Sequence, residues 1–180
     1  MPPPLPDDRR GFLAKAAALT CGVAACAVPA ATGLVAFLDP LGRKSPRGQF
    51  LRVASLDMLP ADGTPRQFPV LAERLDAWNR SPSVPVGAVF LRRRGADRVE
   101  ALQAVCPHAG CYVAFDREKK DLYCPCHGAR FELSGGRIAP AQSASPRDLD
   151  VLQTEVRGGG EVWVLFENFR TGTAQKVAAS

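Results

Sequence analysis

Two kinds of apolar pattern alternate with polar residues along this chain. From Ala16 to Leu38 small and apolar residues run for 23 positions without a charge. As a helix that run spans about 34 Å, enough to cross a bilayer core. Pro29 lies inside it, a break that membrane helices tolerate. Beyond Gly48 the apolar residues come in short runs bounded by Gly, Pro and Asp: 50–54, 67–71, 88–92, 99–105, 151–156 and 162–166. Such runs predict the strands of an antiparallel, mainly β domain. Gly95-Ala96-Asp97 and Gly158-Gly159-Gly160 fall where hairpin turns are needed, and Arg92 to Arg94 read as a solvated strand end. Leu71 to Asn79 has helical spacing instead, and predicts a short helix with Leu75 and Trp78 turned inward for packing.

These patterns divide the chain. Residues 1–15 precede the apolar run, 16–38 form a transmembrane anchor, and 39–49, rich in Gly, Pro, Ser and basic residues, form a flexible linker. Residues 50–169 hold the β domain, and 170–180 are expected to be a frayed tail. No internal repeat is evident. Asp8-Arg9-Arg10-Gly11-Phe12-Leu13-Ala14-Lys15 resembles a twin-arginine translocation signal, the route for proteins exported already folded. It implies a cytoplasmic N-terminus and a single pass through the cell (inner) membrane, with the β domain on the outer, periplasmic side. Arg9, Arg10 and Lys15 before the run and Arg43, Lys44 and Arg47 after it leave the positive-inside count undecided. Val23-Ala24-Ala25-Cys26 also has the form of a lipoprotein cleavage box, and small-residue peptidase sites lie nearby. Lipid-anchored and cleaved forms therefore stand beside the uncleaved anchor, which is the favoured reading.

The net charge of +5 and pI near 9.1 come from arginines spread along the chain, with no basic helix or interleaved aromatics, so no nucleic-acid partner is expected. Of six cysteines, Cys21 and Cys26 sit in the apolar run as small residues. The other four and both histidines crowd into the 22 residues from Cys106 to His127. Such clustering marks a metal centre.

The first half reads Cys106-Pro107-His108-Ala109-Gly110-Cys111, and the second, after twelve intervening residues, reads Cys124-Pro125-Cys126-His127-Gly128. Each half offers one Cys and one His at short reach, so two thiolates and two imidazoles, from Cys106, His108, Cys124 and His127, can grip a pair of irons. Thiolates stabilise ferric iron and neutral imidazoles leave their iron electron-poor, which raises the potential above that of an all-cysteine cluster. The glycines permit the tight backbone around the sulfides. Cys111 and Cys126 are surplus to four ligands, and a disulfide between them would staple the two loops in an oxidising compartment. Two Cys and two His are also zinc ligands; the matched extra cysteines and the flanking Pro and Gly weigh against zinc.

The motif pair, the extra cysteines, the twin-arginine start and the membrane segment together resemble the Rieske subunit of cytochrome bc complexes, with the match strongest from Val105 to Phe131. The resemblance implies an antiparallel Rieske-type β sandwich with a small cluster-binding subdomain at about residues 104–147, and one 2Fe-2S cluster per chain. It implies two histidines at the molecular tip, one of which is unprotonated while the cluster is oxidised. That imidazole accepts a hydrogen bond from a quinol and takes its proton as the electron arrives; His108 and His127 are equal candidates. The implied enzyme is a quinol:cytochrome c oxidoreductase, a dimeric multi-subunit membrane complex in which this chain is the redox subunit. Its partners are a cytochrome b-type subunit, which takes the second electron, and a c-type cytochrome, which receives the first. After Arg137 the family places a proline-bearing loop over the cluster, a position filled here by Pro140 or by Ser145-Pro146-Arg147. Many high-potential members carry Ser and Tyr hydroxyls where this chain has Ala129 and Phe131, so a lower-potential cluster suited to menaquinol is expected. Two rivals remain: the small Rieske subunit of an arsenite-oxidase-like complex, and a ferredoxin-like carrier, against which the disulfide cysteines and the exported anchor argue.

Overall fold

A computed structural model describes residues 9–42, 48–75 and 79–179, and the chain divides between Ser45 and Pro46 into an apolar helical unit and a β unit. The helix, α1 (Arg9–Gly42), contains a 31-residue stretch, Arg9–Asp39, that is long and apolar enough to cross a membrane, with a mean hydropathy of 2.0 over its most apolar 18 residues. Its hydroxyls are satisfied within the helix: Thr20 donates to the carbonyls of Ala16 and Ala17, and Thr32 to those of Val28 and Pro29. Back-bonding of this kind removes the cost of a polar group in an apolar setting. The helix runs past Leu38 to Gly42, through residues expected in the linker, while Arg43, Lys44 and Arg47 lie outside the described residues.

The β unit has ten strands: β1 (Gln49–Ser55), β2 (Arg66–Leu75), β3 (Arg80–Arg93), β4 (Val99–Gln103), β5 (Ala114–Asp116), β6 (Asp121–Tyr123), β7 (Arg130–Phe131), β8 (Val151–Leu152), β9 (Thr154–Arg157) and β10 (Glu161–Phe166). They form three antiparallel sheets ordered β1-β10-β9, β2-β3-β4-β8 and β5-β6-β7. The run Ala88-Val89-Phe90-Leu91 has no polar alternation because β3 is covered on both faces. Val89 and Leu91 enter a core with Val70 of the neighbouring β2 and with Ala54, Val162 and Val164 of the β1-β10-β9 sheet. Ala88 and Phe90 enter a second core with Leu122, Phe131, Cys106 and Cys124. Gly87 makes room for the first: a β-carbon there would stand 2.4 Å from the Phe166 ring. The expected strand 151–156 is two strands that serve different sheets, β8 pairing with β4 and β9 with β10.

Three sequence expectations are corrected. Among the described residues of the helix expected over Leu71 to Asn79, residues 71–75 are strand instead; Leu71 and Ala72 pair with Pro85 and Val84 of β3, and Leu75 with Arg80. Cross-strand pairing overrides the helical spacing, with Pro82 and Pro85 placed at register shifts where a missing N–H is tolerated; Trp78 lies outside the described residues. Arg92 is not at a solvated strand end, but largely buried and paired with Glu100 across the sheet at 2.9 Å. The tail is not frayed: Arg170 donates to Val177 and Ala179 to Asn168, and a bridge joins Phe169 to Ala178.

Candidate metal centre

Two loops of one design meet at one end of the second core. In the first, the Cys106 N–H donates to the Cys111 carbonyl at 2.8 Å and the Gly110 N–H to the Cys106 carbonyl at 3.1 Å. In the second, the Cys124 N–H donates to the Ala129 carbonyl at 2.8 Å and the Gly128 N–H to the Cys124 carbonyl at 3.0 Å. The two patterns superimpose residue for residue, Cys106 on Cys124 and Gly110 on Gly128. Both glycines have positive φ, 81° and 70°, where other residues are strained. This short internal repeat is invisible to composition because the histidine falls two residues after the cysteine in one loop and three after it in the other.

The folding of these loops brings Cys106 next to Cys124, and His108 next to His127. Cys106 and Cys124 are free thiols, each 1% exposed. Burial pushes the Cys106 thiol up to about 11, with the neighbouring Cys124 thiol adding to the rise and the backbone N–H groups of His108 and Ala109 opposing it. The His108 and His127 rings stand edge-on, 4.5 Å apart. Nδ1 of His108 is buried and has no hydrogen-bond partner. An orphaned ring nitrogen costs free energy unless something binds it. Two buried neighbouring thiols, that nitrogen and a second imidazole in ring contact with the first make up a sulfur–nitrogen donor set of the composition a mixed-ligand iron pair takes. Cys111 and Cys126 form a disulfide between the loops. The sulfurs of Cys111, Cys124 and Cys126 also lie within 4.8 Å of one another, but two of them are spent on that bond, so they are not a separate three-sulfur site.

The strands beneath fix the second loop. The Arg130 guanidinium reaches Asp121 at 2.6 Å through Nε and Asp116 at 2.7 Å through Nη2. Its presence holds the Asp116 carboxyl below the ordinary range, helped by the Lys119 N–H. Ala129 and Phe131 are buried at 2% and 0% exposure in the core that contains both thiols. Of the two proline-bearing segments, Pro140 opens an exposed 3-10 turn, whereas Ser145 is buried and its carbonyl accepts from Arg137. Arg147 follows, buried and paired with Asp150 at 2.8 Å. Sequence reasoning missed Arg130, Arg147 and their carboxylates. Nothing in the local pattern separates them from surface charges; only the tertiary fold does.

A family model described as the Rieske [2Fe-2S] domain matches residues 49–165. The chain is 29% identical over 125 residues to the menaquinol:cytochrome c reductase iron-sulfur subunit of Bacillus subtilis (strain 168), covering 68% of this chain and 71% of that protein. It is 29% identical over 155 residues to the cytochrome b6-f complex iron-sulfur subunit of Chlorobaculum thiosulfatiphilum, covering 86% and 72%. A solved plasma-membrane Rieske protein of Synechocystis PCC 6803 aligns with 64% of this chain and 97% of its own length, at 24% identity and a TM-score of 0.42.

Proposed function

Since the chain belongs to the Rieske [2Fe-2S] family, we propose that Cys106, His108, Cys124 and His127 hold its cluster and that it serves as the membrane-tethered electron-transfer subunit of a menaquinol:cytochrome c oxidoreductase. One observation carries this reading: two buried free thiols, an unpartnered buried imidazole nitrogen and a second imidazole lie on two loops that a disulfide ties together. When bound, the cluster supplies a one-electron acceptor of raised potential. His108 and His127 bind the quinol and receive its proton. His127 is the more exposed of the two residues, which favours it as the one a docked quinol meets. Burial of Cys106 and Cys124 keeps water from the thiolates.

Menaquinol as donor is supported by the name of the Bacillus relative and by the apolar side chains at 129 and 131. A cytochrome b-type subunit takes the second electron and a c-type haem receives the first, in a dimeric complex. The helix α1 anchors the chain, and the twin-arginine start together with the need of the disulfide for an oxidising compartment supports the outer face as the site of the β unit.

Purifying the complex from membranes tests this. The expected result is a reduced-state resonance of low average g accompanied by b- and c-type haems. Bound zinc, or a molybdenum subunit in place of cytochrome b, would overturn it.

A further inference from the structure

We propose that residues 168–179 form a strap that positions the first cluster-binding loop, Cys106 to Cys111, with Arg147 as the residue that anchors the strap. The Gly172 N–H donates to the Pro107 carbonyl at 2.7 Å, between the two side chains read above as ligands. Gly172 lies against the chain there, since a β-carbon on it would be 3.7 Å from the His108 carbonyl oxygen. One on Gly110 would be 3.7 Å from Thr171 Cγ2. The strap is closed on itself by Arg170 N–H to Val177, Ala179 N–H to Asn168 and the Thr173 hydroxyl to Gln175.

Arg147 fastens it from inside. Nη1 donates to the Thr173 carbonyl at 2.7 Å and Nη2 to the Arg170 carbonyl at 2.9 Å, while Nε and Nη2 grip Asp150 at 3.0 and 2.8 Å. Arg147 and Asp150 are 8% and 5% exposed, so the fork is held rigidly and its donors go to the strap. Gln103 adds a bond from Nε2 to Asn168 at 2.9 Å, and its Oε1 is buried without a partner. Beside it lies a cavity of about 20 Å³ lined by Gln103, Pro107, Arg147, Asp150, Asn168 and Thr171 among others. That is room for one water, which would satisfy Gln103 and complete the underside of the strap.

The two loops are built alike but held differently. Pro107 is fully buried under the strap, whereas its counterpart Pro125 is exposed. The second loop is tied to the first through Cys126.

Hydrogen exchange of the full chain in detergent, read by mass spectrometry on segments 104–111 and 122–129, tests the strap. Ending the chain at Arg170 should speed exchange in the first segment by about tenfold or more and leave the second unchanged. Gly172→Val should do the same, because its φ of 73° excludes a β-branched residue, while Gly172→Asn, which tolerates that region, should resemble the intact chain. With cluster bound, the midpoint potential should move in the first two and stay in the third. Equal acceleration in both segments, acceleration in neither, or an unmoved midpoint overturns the positioning role. Because the proposal rests on Cys106 and His108 as ligands, exchange is also measured after iron removal; failure of the ligand assignment shows separately, as loss of the reduced-state resonance from the intact chain.

Discussion

Ala129 and Phe131 are the positions at which the addition of a single hydroxyl is expected to shift the potential of this chain. Both are buried in the core that contains the thiols, so a hydroxyl added at either position would sit in a low-dielectric setting. A hydrogen bond that favours the reduced, more negative state by about 1 kcal/mol raises a one-electron potential by roughly 40 mV. Ala129→Ser should therefore raise the midpoint by about that amount, and the double change with Phe131→Tyr by roughly 80 mV. Redox titration followed by electron resonance decides; an unchanged or lowered midpoint defeats the explanation. At this scale the sequence was informative where spacing is local. Cys106-x-His108 and Cys124-x-x-His127 can be read directly, because a ligand loop is a few residues long. Arg147 with Asp150, and Arg130 with Asp116 and Asp121, could not be read, because each is defined by burial that only the folded chain supplies.

Among the elements, the loops and short strands of the iron-binding layer depend most on a covalent tie. The Cys111–Cys126 bond spans 15 residues that include β5 and β6, a separation at which cross-linking is worth about 3 kcal/mol. Replacing both cysteines with Ser should lower unfolding stability by about that amount, measured by denaturant titration of the β unit. A loss below about 1 kcal/mol would mean that the layer is held mainly by Arg130 and the core beneath it. The six apolar runs announced most of the larger sheets because each buries several consecutive or alternating side chains. β5, β6 and β7 went unread for the opposite reason: they are two or three residues long and carry Asp116, Asp121 and Arg130, which pair with one another rather than with solvent. The spacing of Leu71 to Leu75 suggested a helix because no local signal reveals that residues 80–85 will hydrogen-bond to it.

At the scale of the whole β unit, the two cores meet at β3, and of the described glycines Gly87, beneath Phe166, has the least room for a side chain. Gly87→Ala forces ring and strand apart and should cost about 1–3 kcal/mol, read as a lowered melting temperature with the cluster still bound. A neutral substitution would show that the ring has room to turn away. The alternation along Ala88, Val89, Phe90 and Leu91 has a further consequence. Because neighbouring side chains of one strand belong to opposite interiors, loss of β3 uncovers both at once. Unfolding of that strand therefore strips the packing from Cys106 and Cys124 in the same event that opens the scaffold.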